Sequence, residues 1–188
     1  MYNKRPLNTV IMVSGSGTNM DSIIKNCSDI LNICGVFSDR KDALALEKAG
    51  NKNIYNKYLG RDYLDFLSEF IEKEKIDLII LAGFLKILPK TFIDSAPLII
   101  NIHPSLLPKY GGKGMYGMNV HEEVFKNGDS ISGATVHYVN EKIDGGKIIL
   151  QGHVDIRDAC SPEEIQKKVL SVEHKLFSMA IKTIWRQS

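Results

Sequence analysis

Short apolar runs alternate along the chain with segments in which apolar residues recur every three or four positions. The apolar runs predict four buried strands, at residues 9–14, 30–37, 77–82 and 98–103. Helical periodicity falls between them, in a helix from about Met20, a short helix over residues 43–49 closed by Gly50, and a helix that starts near Arg61. Strands that alternate with helices predict an α/β fold with one doubly wound, mostly parallel sheet.

The last third of the chain departs from this alternation. Residues 133–139 and 147–154 predict two further strands, and their short separation indicates an antiparallel extension of the sheet. A final helix has a clear start signal, because Ser161 can cap it, Pro162 suits its first position and Glu164 completes a capping box.

Length, charge and cysteine content add modest limits. A chain of 188 residues is typical of one domain, and a net charge of +2 gives no reason to expect nucleic acid or an anionic membrane as a partner. No segment is long and apolar enough to span a membrane or to form a signal peptide. The three cysteines are odd in number and lack CxxC spacing, so we expect small apolar thiols in a reduced, cytoplasmic compartment.

The most informative candidate chemistry lies where the strand at residues 98–103 ends. Asn101 and His103 point to the same face of that strand, and Pro104 ends it at the sheet edge where α/β proteins bind ligands. An imidazolium beside an amide N–H can stabilise an oxyanion derived from a carbonyl group. Because the sequence has no nucleophile elbow, no HExxH and no Cys/His cluster, we expect direct transfer without a covalent intermediate and without a metal.

Asp144, in the segment Ile143-Asp144-Gly145-Gly146, has two interpretations. Turn chemistry explains an Asp-Gly-Gly sequence and by itself is the preferred one. Alternatively, the carboxylate faces His103 across a cleft and favours the charged imidazolium.

The segment Gly15-Ser16-Gly17-Thr18-Asn19 also has two interpretations, with about even weight. It lies between a strand and a helix, where free N–H groups and the helix dipole favour an anion such as phosphate. It is equally a tight βα turn that needs glycine only for its backbone. The absence of a third glycine argues against a dinucleotide fingerprint, although Asp39 after the second strand keeps a nicotinamide interpretation at low weight.

Four segments together resemble one family. The glycine segment, Leu81-Ala82-Gly83-Phe84-Leu85-Lys86-Ile87-Leu88, Asn101-Ile102-His103-Pro104-Ser105-Leu106-Leu107-Pro108 and Ile143-Asp144-Gly145-Gly146 occur in this order. The chain thereby resembles, over essentially its whole length, the folate-dependent phosphoribosylglycinamide formyltransferases of purine biosynthesis. The resemblance implies formyl transfer from 10-formyltetrahydrofolate, as cosubstrate, to the amine of glycinamide ribonucleotide. It also implies a single domain over residues 1–188, with a phosphate-binding half of about 1–100 and a folate and catalytic half of about 101–188.

The resemblance further assigns site residues. It implies a catalytic trio of Asn101, His103 and Asp144. It implies contacts to the ribonucleotide substrate from Gly17, Thr18, Asn19, Leu170, Ser171, Val172 and Glu173. It implies folate-side contacts from Arg61, Leu85, Lys86, Ile87, Leu88, Asn101, Asn140, Glu141, Lys142, Ile143 and Asp144. Lys86 stands where the family often has arginine, so the charge is kept while the planar fork is lost.

Two further features have open interpretations. Glu173 falls within the apolar stripe of the final helix, where a carboxylate needs a partner, either the substrate or a lysine. The glycine-rich segment 110–117 is either a mobile cover or a surface turn. His121 and His137 carry no sequence argument for catalysis, and we expect core or surface roles.

Three alternative functions remain. Methionyl-tRNA formyltransferase and formyltetrahydrofolate deformylase share the chemistry, but chains that resemble them carry an additional domain that we do not expect here. A nucleotide-binding module without catalysis is the alternative from another class. For an enzyme we expect small-molecule partners, glycinamide ribonucleotide and folate, in a monomer or weak homodimer.

Overall fold

Within residues 4–188, which the computed structural model describes, the strands form a single seven-stranded sheet. In chain order the strands are β1 (Leu7–Val13), β2 (Leu31–Ser38), β3 (Asn56–Tyr58), β4 (Leu78–Leu81), β5 (Leu98–His103), β6 (Ile131–Tyr138) and β7 (Ile148–Asp155). The helices are α1 (Thr18–Asn26), α2 (Leu44–Gly50), α3 (Tyr63–Glu74), α4 (Lys90–Ser95), α5 (Met118–Lys126) and α6 (Pro162–Gln187).

The sheet order is β3-β2-β1-β4-β5-β6-β7. Strands β1 to β5 pair in parallel, and β6 and β7 add antiparallel neighbours. The predicted fold class, a mostly parallel doubly wound sheet with an antiparallel C-terminal extension, is therefore confirmed. The chain reverses its winding direction between β1 and β4, and the carboxyl ends of strands beside such a switch point form a crevice.

Two apolar clusters cover the two faces of the sheet. Successive residues of β1 alternate between them, so that Ile11 and Val13 join one cluster and Val10 and Met12 the other. Helices α1, α2, α5 and α6 contribute buried residues to the first cluster, and α3 and α4 to the second. Burial on both faces explains why the central strands read as continuous apolar runs.

Several local predictions need correction. Gly50 lies inside α2 and not at C′, because Asn51 follows it in right-handed helical geometry. Ser161 caps α6 as predicted, because its Oγ accepts from Glu164 N at 3.4 Å, but the Glu164 carboxylate accepts from Cys160 N and not from Ser161 N. Cys27 is buried as expected, whereas Cys160 is exposed. The sequence analysis did not predict β3, α4 or α5, which are short elements of three, six and nine residues.

Among the described residues, no helix combines the length and the apolar character that crossing a membrane would require. The same residues contain no group of three or more His, Cys, Asp or Glu side chains arranged to hold a metal ion.

Candidate active site

A cleft of about 700 Å³ opens at the carboxyl ends of β1, β4 and β5. Its walls come from the loops that follow these strands, from the segment before α5, from the turn between β6 and β7, and from α6. Asn101, His103 and Asp144 all line it, together with Gly17 and Glu173. The crevice predicted from the sheet topology is thus the place where the sequence-predicted residues meet.

His103 is nearly buried, at 4% exposure, and its ring has one fixed partner. Nε2 lies 2.7 Å from the carbonyl oxygen of Tyr110, and because a carbonyl only accepts, Nε2 carries the hydrogen. Nδ1 lies 3.5 Å from Asp144 Oδ1, which is longer than a normal hydrogen bond. The ring nitrogen that remains available to reactants is therefore Nδ1.

Asp144 is held by the backbone. Its Oδ2 accepts from the N–H of Gly112 at 2.9 Å, which leaves Oδ1 facing His103. The residue itself adopts φ 53°, and Gly146 brings the turn so close to the Tyr138 carbonyl that a side chain there would clash. The Asp-Gly-Gly segment is a turn, as the first interpretation states, and it also presents a carboxylate to His103, as the second requires.

Asn101 is oriented by a residue that the sequence analysis set aside. Its Nδ2 lies 3.1 Å from His137 Nε2, and His137 Nδ1 lies 2.9 Å from the Tyr138 carbonyl. Burial is the main cause that lowers the pKa of His137, so the ring is neutral and its Nε2 accepts from the amide. One Asn101 N–H is thereby committed and the other is free for a ligand. The pairing of Asn101 with His137 follows from the register of β5 against β6, which the separate strand predictions did not supply.

His121 also lines the cleft, from α5. It is 2% exposed, and burial together with the nearby His103 lowers its pKa to about 4. Its Nδ1 is buried without a hydrogen-bond partner. No sequence signal identified this histidine, because α5 itself was not predicted.

The first turn of α1 forms another wall of the cleft. Gly17 caps the helix with φ 73°, and no side chain bonds to the helix start. The first helical hydrogen bond runs from Asp21 N to Gly17 O, so the N–H groups of residues 18–20 precede the helical ladder. Thr18 and Asn19 line the cleft beside Gly17. This arrangement is suited to an anion.

Glu173 is buried, as its place in the apolar stripe predicts. Its partner is not a lysine: Asn19 Nδ2 donates to Glu173 Oε2 at 2.6 Å. Burial raises the pKa of Glu173, and the bond from Asn19 only partly offsets this. The other amide atom, Asn19 Oδ1, is buried without a partner. The pair therefore combines a costly carboxylate with an unsatisfied acceptor at the edge of the cleft.

Most of the predicted folate-side and helix α6 residues line the cleft, and a few do not. Those that line the cleft are Leu85, Lys86, Ile87, Leu88, Asn140, Glu141, Lys142, Ile143, Leu170 and Glu173. Arg61 is exposed and does not line the cleft, while Arg40 does. Ser171 and Val172 also lie outside it, because successive helical residues point about 100° apart: Ser171 is exposed and Val172 packs toward Gly152.

Two smaller features are resolved by contacts. The Lys86 ammonium lies 4.0 Å from the centroid of the Tyr63 ring, so its charge is directed to that aromatic face. Asp39 Oδ1 accepts from Ser14 Oγ at 2.5 Å, and Ser14 Oγ in turn accepts from Leu85 N at 2.8 Å. Asp39 therefore has a structural partner, which removes the reason for a nicotinamide interpretation.

The glycine-rich segment 110–117 forms part of the cleft wall between β5 and α5. Residues 112–117 line the cleft, and Gly112, Gly114 and Gly117 have positive φ angles. The segment therefore forms a wall of the cleft, and its left-handed glycines let the chain turn repeatedly there.

Known proteins that are similar to this chain are formyltransferases. The family model described as formyl transferase matches residues 7–181. A phosphoribosylglycinamide formyltransferase of Haemophilus influenzae is 37% identical, over 92% of this chain and 84% of the relative. The Escherichia coli protein of the same name is 34% identical, over 93% and 85%.

Solved structures give the same picture. A phosphoribosylglycinamide formyltransferase from Anaplasma phagocytophilum superposes with a TM-score of 0.89 at 32% identity, covering 97% of this chain and 89% of the other. The Coxiella burnetii protein of the same name, solved with CHES, has a TM-score of 0.84 at 34% identity, covering 94% and 86%.

Proposed function

This chain belongs to the phosphoribosylglycinamide formyltransferase family, and from that membership we propose that it transfers a formyl group to the amine of glycinamide ribonucleotide in purine biosynthesis. The donor in this proposal is 10-formyltetrahydrofolate. The observation that carries the proposal is the convergence of Asn101, His103 and Asp144 at one point of the cleft, with Asp144 Oδ1 3.5 Å from the His103 ring.

The reaction begins when the neutral amine of the ribonucleotide attacks the formyl carbon of the donor. A carbon–nitrogen bond forms, and the formyl oxygen becomes an oxyanion. The free N–H of Asn101 is available to donate to that oxygen, since the other N–H is committed to His137. His103 supports the same charge from Nδ1 when its ring is protonated, because Nε2 is committed to Tyr110.

Proton transfer completes the exchange. The attacking amine must lose a proton, and the departing folate nitrogen must gain one before its bond to the formyl carbon breaks. His103 Nδ1 and Asp144 Oδ1 are the polar atoms placed to relay that proton, directly or through water. The cleft also accelerates the reaction by holding the formyl donor and the acceptor amine side by side.

The two substrates occupy different walls in this proposal. The ribonucleotide phosphate binds at the N–H groups of α1, and the ribose and glycinamide lie toward Glu173. The folate lies against the segments 85–88 and 140–144, where the exposed apolar side chains of Leu85, Ile87 and Ile143 offer contact to a flat ring.

An absorbance assay with a 10-formylfolate donor tests the proposal. Deformylation of the donor that requires glycinamide ribonucleotide supports a transferase. Deformylation without it indicates a hydrolase, and absence of turnover with retained binding indicates a binding module. Either of these two results would overturn the proposal.

Variants connect the activity to the site. His103→Ala, Asn101→Ala and Asp144→Asn should each lower kcat by roughly a hundredfold or more, the usual contribution of a positioned acid, base or oxyanion donor. His153→Ala is the matched control, because His153 is exposed on β7 and does not line the cleft. A folded His103→Ala protein with wild-type turnover would exclude this mechanism.

A further inference from the structure

The carbonyl group of Tyr110 decides which nitrogen of His103 can exchange a proton with the reactants. It accepts from His103 Nε2 at 2.7 Å and so keeps the hydrogen on that nitrogen. Nδ1, which faces Asp144 across 3.5 Å, is then the nitrogen with a free lone pair. If the Tyr110 carbonyl turned away, the ring would lose the bond that selects this tautomer.

The backbone that aims this carbonyl is in an unfavourable conformation. Tyr110 has φ 57°, in the left-handed region that residues with a Cβ atom seldom adopt. Gly111 and Gly112 follow it, so the chain on that side offers little stiffness of its own. A conformation of this kind persists only where surrounding contacts hold it.

Asp129 supplies such contacts. Its Oδ2 accepts from the Tyr110 phenol at 2.9 Å, and its two oxygens accept from Lys109 Nζ at 2.7 Å each. The carbonyl of Lys109 is bonded in turn by Ser105 Oγ at 2.6 Å. Burial opposes ionisation of Asp129, but the hydrogen bonds from Lys109 and Tyr110 outweigh it and lower the pKa of the carboxyl.

This group of residues lies behind the reacting centre. Asp129 and Tyr110 line a separate cavity of about 170 Å³ and do not line the large cleft. Asp129 follows α5 in a turn closed by hydrogen bonds from Gly128 N to Phe125 O and from Asp129 N to Val124 O. It can therefore act on the reaction only through Tyr110 and His103.

We propose that Asp129 and the phenol of Tyr110 are positioning residues, which hold the left-handed Tyr110 backbone so that its carbonyl fixes His103 in the Nε2–H tautomer. The inference deepens the proposed function and rests on it for the kinetic measurement. Asp129 and Tyr110 would act from outside the cleft on the three residues that face the reactants.

The test uses Tyr110→Phe, which removes only the phenolic oxygen, and Asp129→Asn, which removes the charge. Tyr55→Phe is the matched control, since Tyr55 is half exposed and does not line the cleft. The ¹⁵N shifts of the His103 ring, assigned with His103→Gln, report its tautomer at about pH 8, where an ordinary imidazole is neutral. The kinetic measurement gives kcat and the KM of each substrate.

We expect the wild type and Tyr55→Phe to show the Nε2–H tautomer alone. Tyr110→Phe and Asp129→Asn should show a mixture of the two tautomers, with kcat lowered roughly tenfold, a part of what a correctly placed proton carrier contributes. Both KM values should stay within about twofold of wild type, because neither residue lines the cleft where the substrates would bind.

A wild-type tautomer in folded Tyr110→Phe and Asp129→Asn proteins would overturn the proposal, whatever their kcat. A lower Tm with unchanged ring shifts would show a structural role only and would overturn it as well. If Asp129→Asn fails to fold, Tyr110→Phe alone decides by the same criterion. Because the ring shifts need no turnover, an inactive wild type would overturn the proposed function and leave this test valid.

Discussion

The Asn101 amide nitrogen lies 3.1 Å from His137 Nε2, directly across the antiparallel pair of β5 and β6. His137 is 2% exposed and neutral, and its other nitrogen donates to a backbone carbonyl. The ring is therefore a fixed acceptor that determines which way the Asn101 amide faces. An amide held in this way has its second N–H directed before a ligand arrives, which is the preorganisation that oxyanion stabilisation needs.

His137→Phe should therefore lower kcat while leaving substrate binding nearly unchanged. An aromatic ring is kept, but the acceptor for Asn101 is lost, and one hydrogen bond of this kind contributes about 1 kcal/mol, which corresponds to roughly fivefold in rate. Steady-state kinetics of His137→Phe beside His153→Phe checks this, since His153 is an exposed histidine on β7. Equal kcat values in the two variants would show that Asn101 does not depend on His137.

Gly17→Ala should impair recognition of the ribonucleotide phosphate. Gly17 has φ 73°, and a Cβ atom there would lie 2.7 Å from Ala45 Cβ, so the start of α1 must shift. We expect the KM for glycinamide ribonucleotide to rise by about tenfold, since left-handed alanine costs roughly 1–2 kcal/mol. The KM for the formyl donor should change little.

Gly60→Ala is the control outside the cleft, because a Cβ atom at Gly60 meets no atom within 4 Å and Gly60 does not line the cleft. A dephosphorylated substrate provides the second control. If the anion binds at α1, the ratio of the KM values of Gly17→Ala and wild type should fall toward one with that substrate. A ratio that is the same with and without the phosphate would place the phosphate elsewhere.

Glu173→Gln should stabilise the protein at neutral pH and weaken the ribonucleotide complex. Burial raises the pKa of Glu173 in the fold, so the folded protein is penalised as pH rises above the carboxyl's ordinary value in the unfolded chain. Urea unfolding should give Glu173→Gln a larger free energy of unfolding than wild type at pH 8. The two free energies should become equal below about pH 4.

The KM for glycinamide ribonucleotide should rise by roughly tenfold or more in the same variant, as is usual when a charged hydrogen-bond partner is lost. Glu122→Gln, an exposed carboxylate on α5, should change neither quantity. A Glu173→Gln protein that is less stable than wild type at pH 8 would mean that the Asn19 bond outweighs the burial of the charge.

His121 should make the fold sensitive to acid. Its pKa is lowered to about 4 by burial and by the nearby His103, so between the ordinary histidine value and pH 4 the unfolded chain binds a proton that the folded chain does not. His121 does not reduce the free energy of unfolding above the ordinary histidine pKa, and the free energy of unfolding falls as pH decreases below that value. The loss between pH 7.5 and 5 should be about 2 kcal/mol from this residue.

Urea unfolding of His121→Gln at the two pH values measures that loss, because glutamine does not titrate. The difference in the free energy of unfolding between pH 7.5 and pH 5 should be about 2 kcal/mol smaller in His121→Gln than in wild type. His153→Gln, which replaces an exposed histidine on β7, should show the same difference in the free energy of unfolding as wild type. The same pH dependence in His121→Gln and wild type would rule out His121 as its source.

Local sequence was sufficient for most of the architecture, although β3, α4 and α5 were not predicted. The apolar run at residues 98–103 coincides with β5, and the Ser-Pro-Glu-Glu start of α6 was predicted to the residue, because strand burial and helix capping depend on neighbours in the chain. The same local rules placed Asn101 and His103 on one face and made Glu173 a buried carboxylate in need of a partner.

Tertiary structure alone decided the partners. The pairing of Asn101 with His137 depends on the register of β5 and β6, and the bond of Asn19 to Glu173 joins residues 154 positions apart. The carbonyl of Tyr110, a residue with left-handed backbone, meets His103 Nε2 at 2.7 Å. These contacts depend on how the elements pack at the sheet edge. That packing cannot be inferred from residue type and spacing. The sequence by itself determined most of the elements and where their polar ends gather, and the fold decided which atoms face one another there.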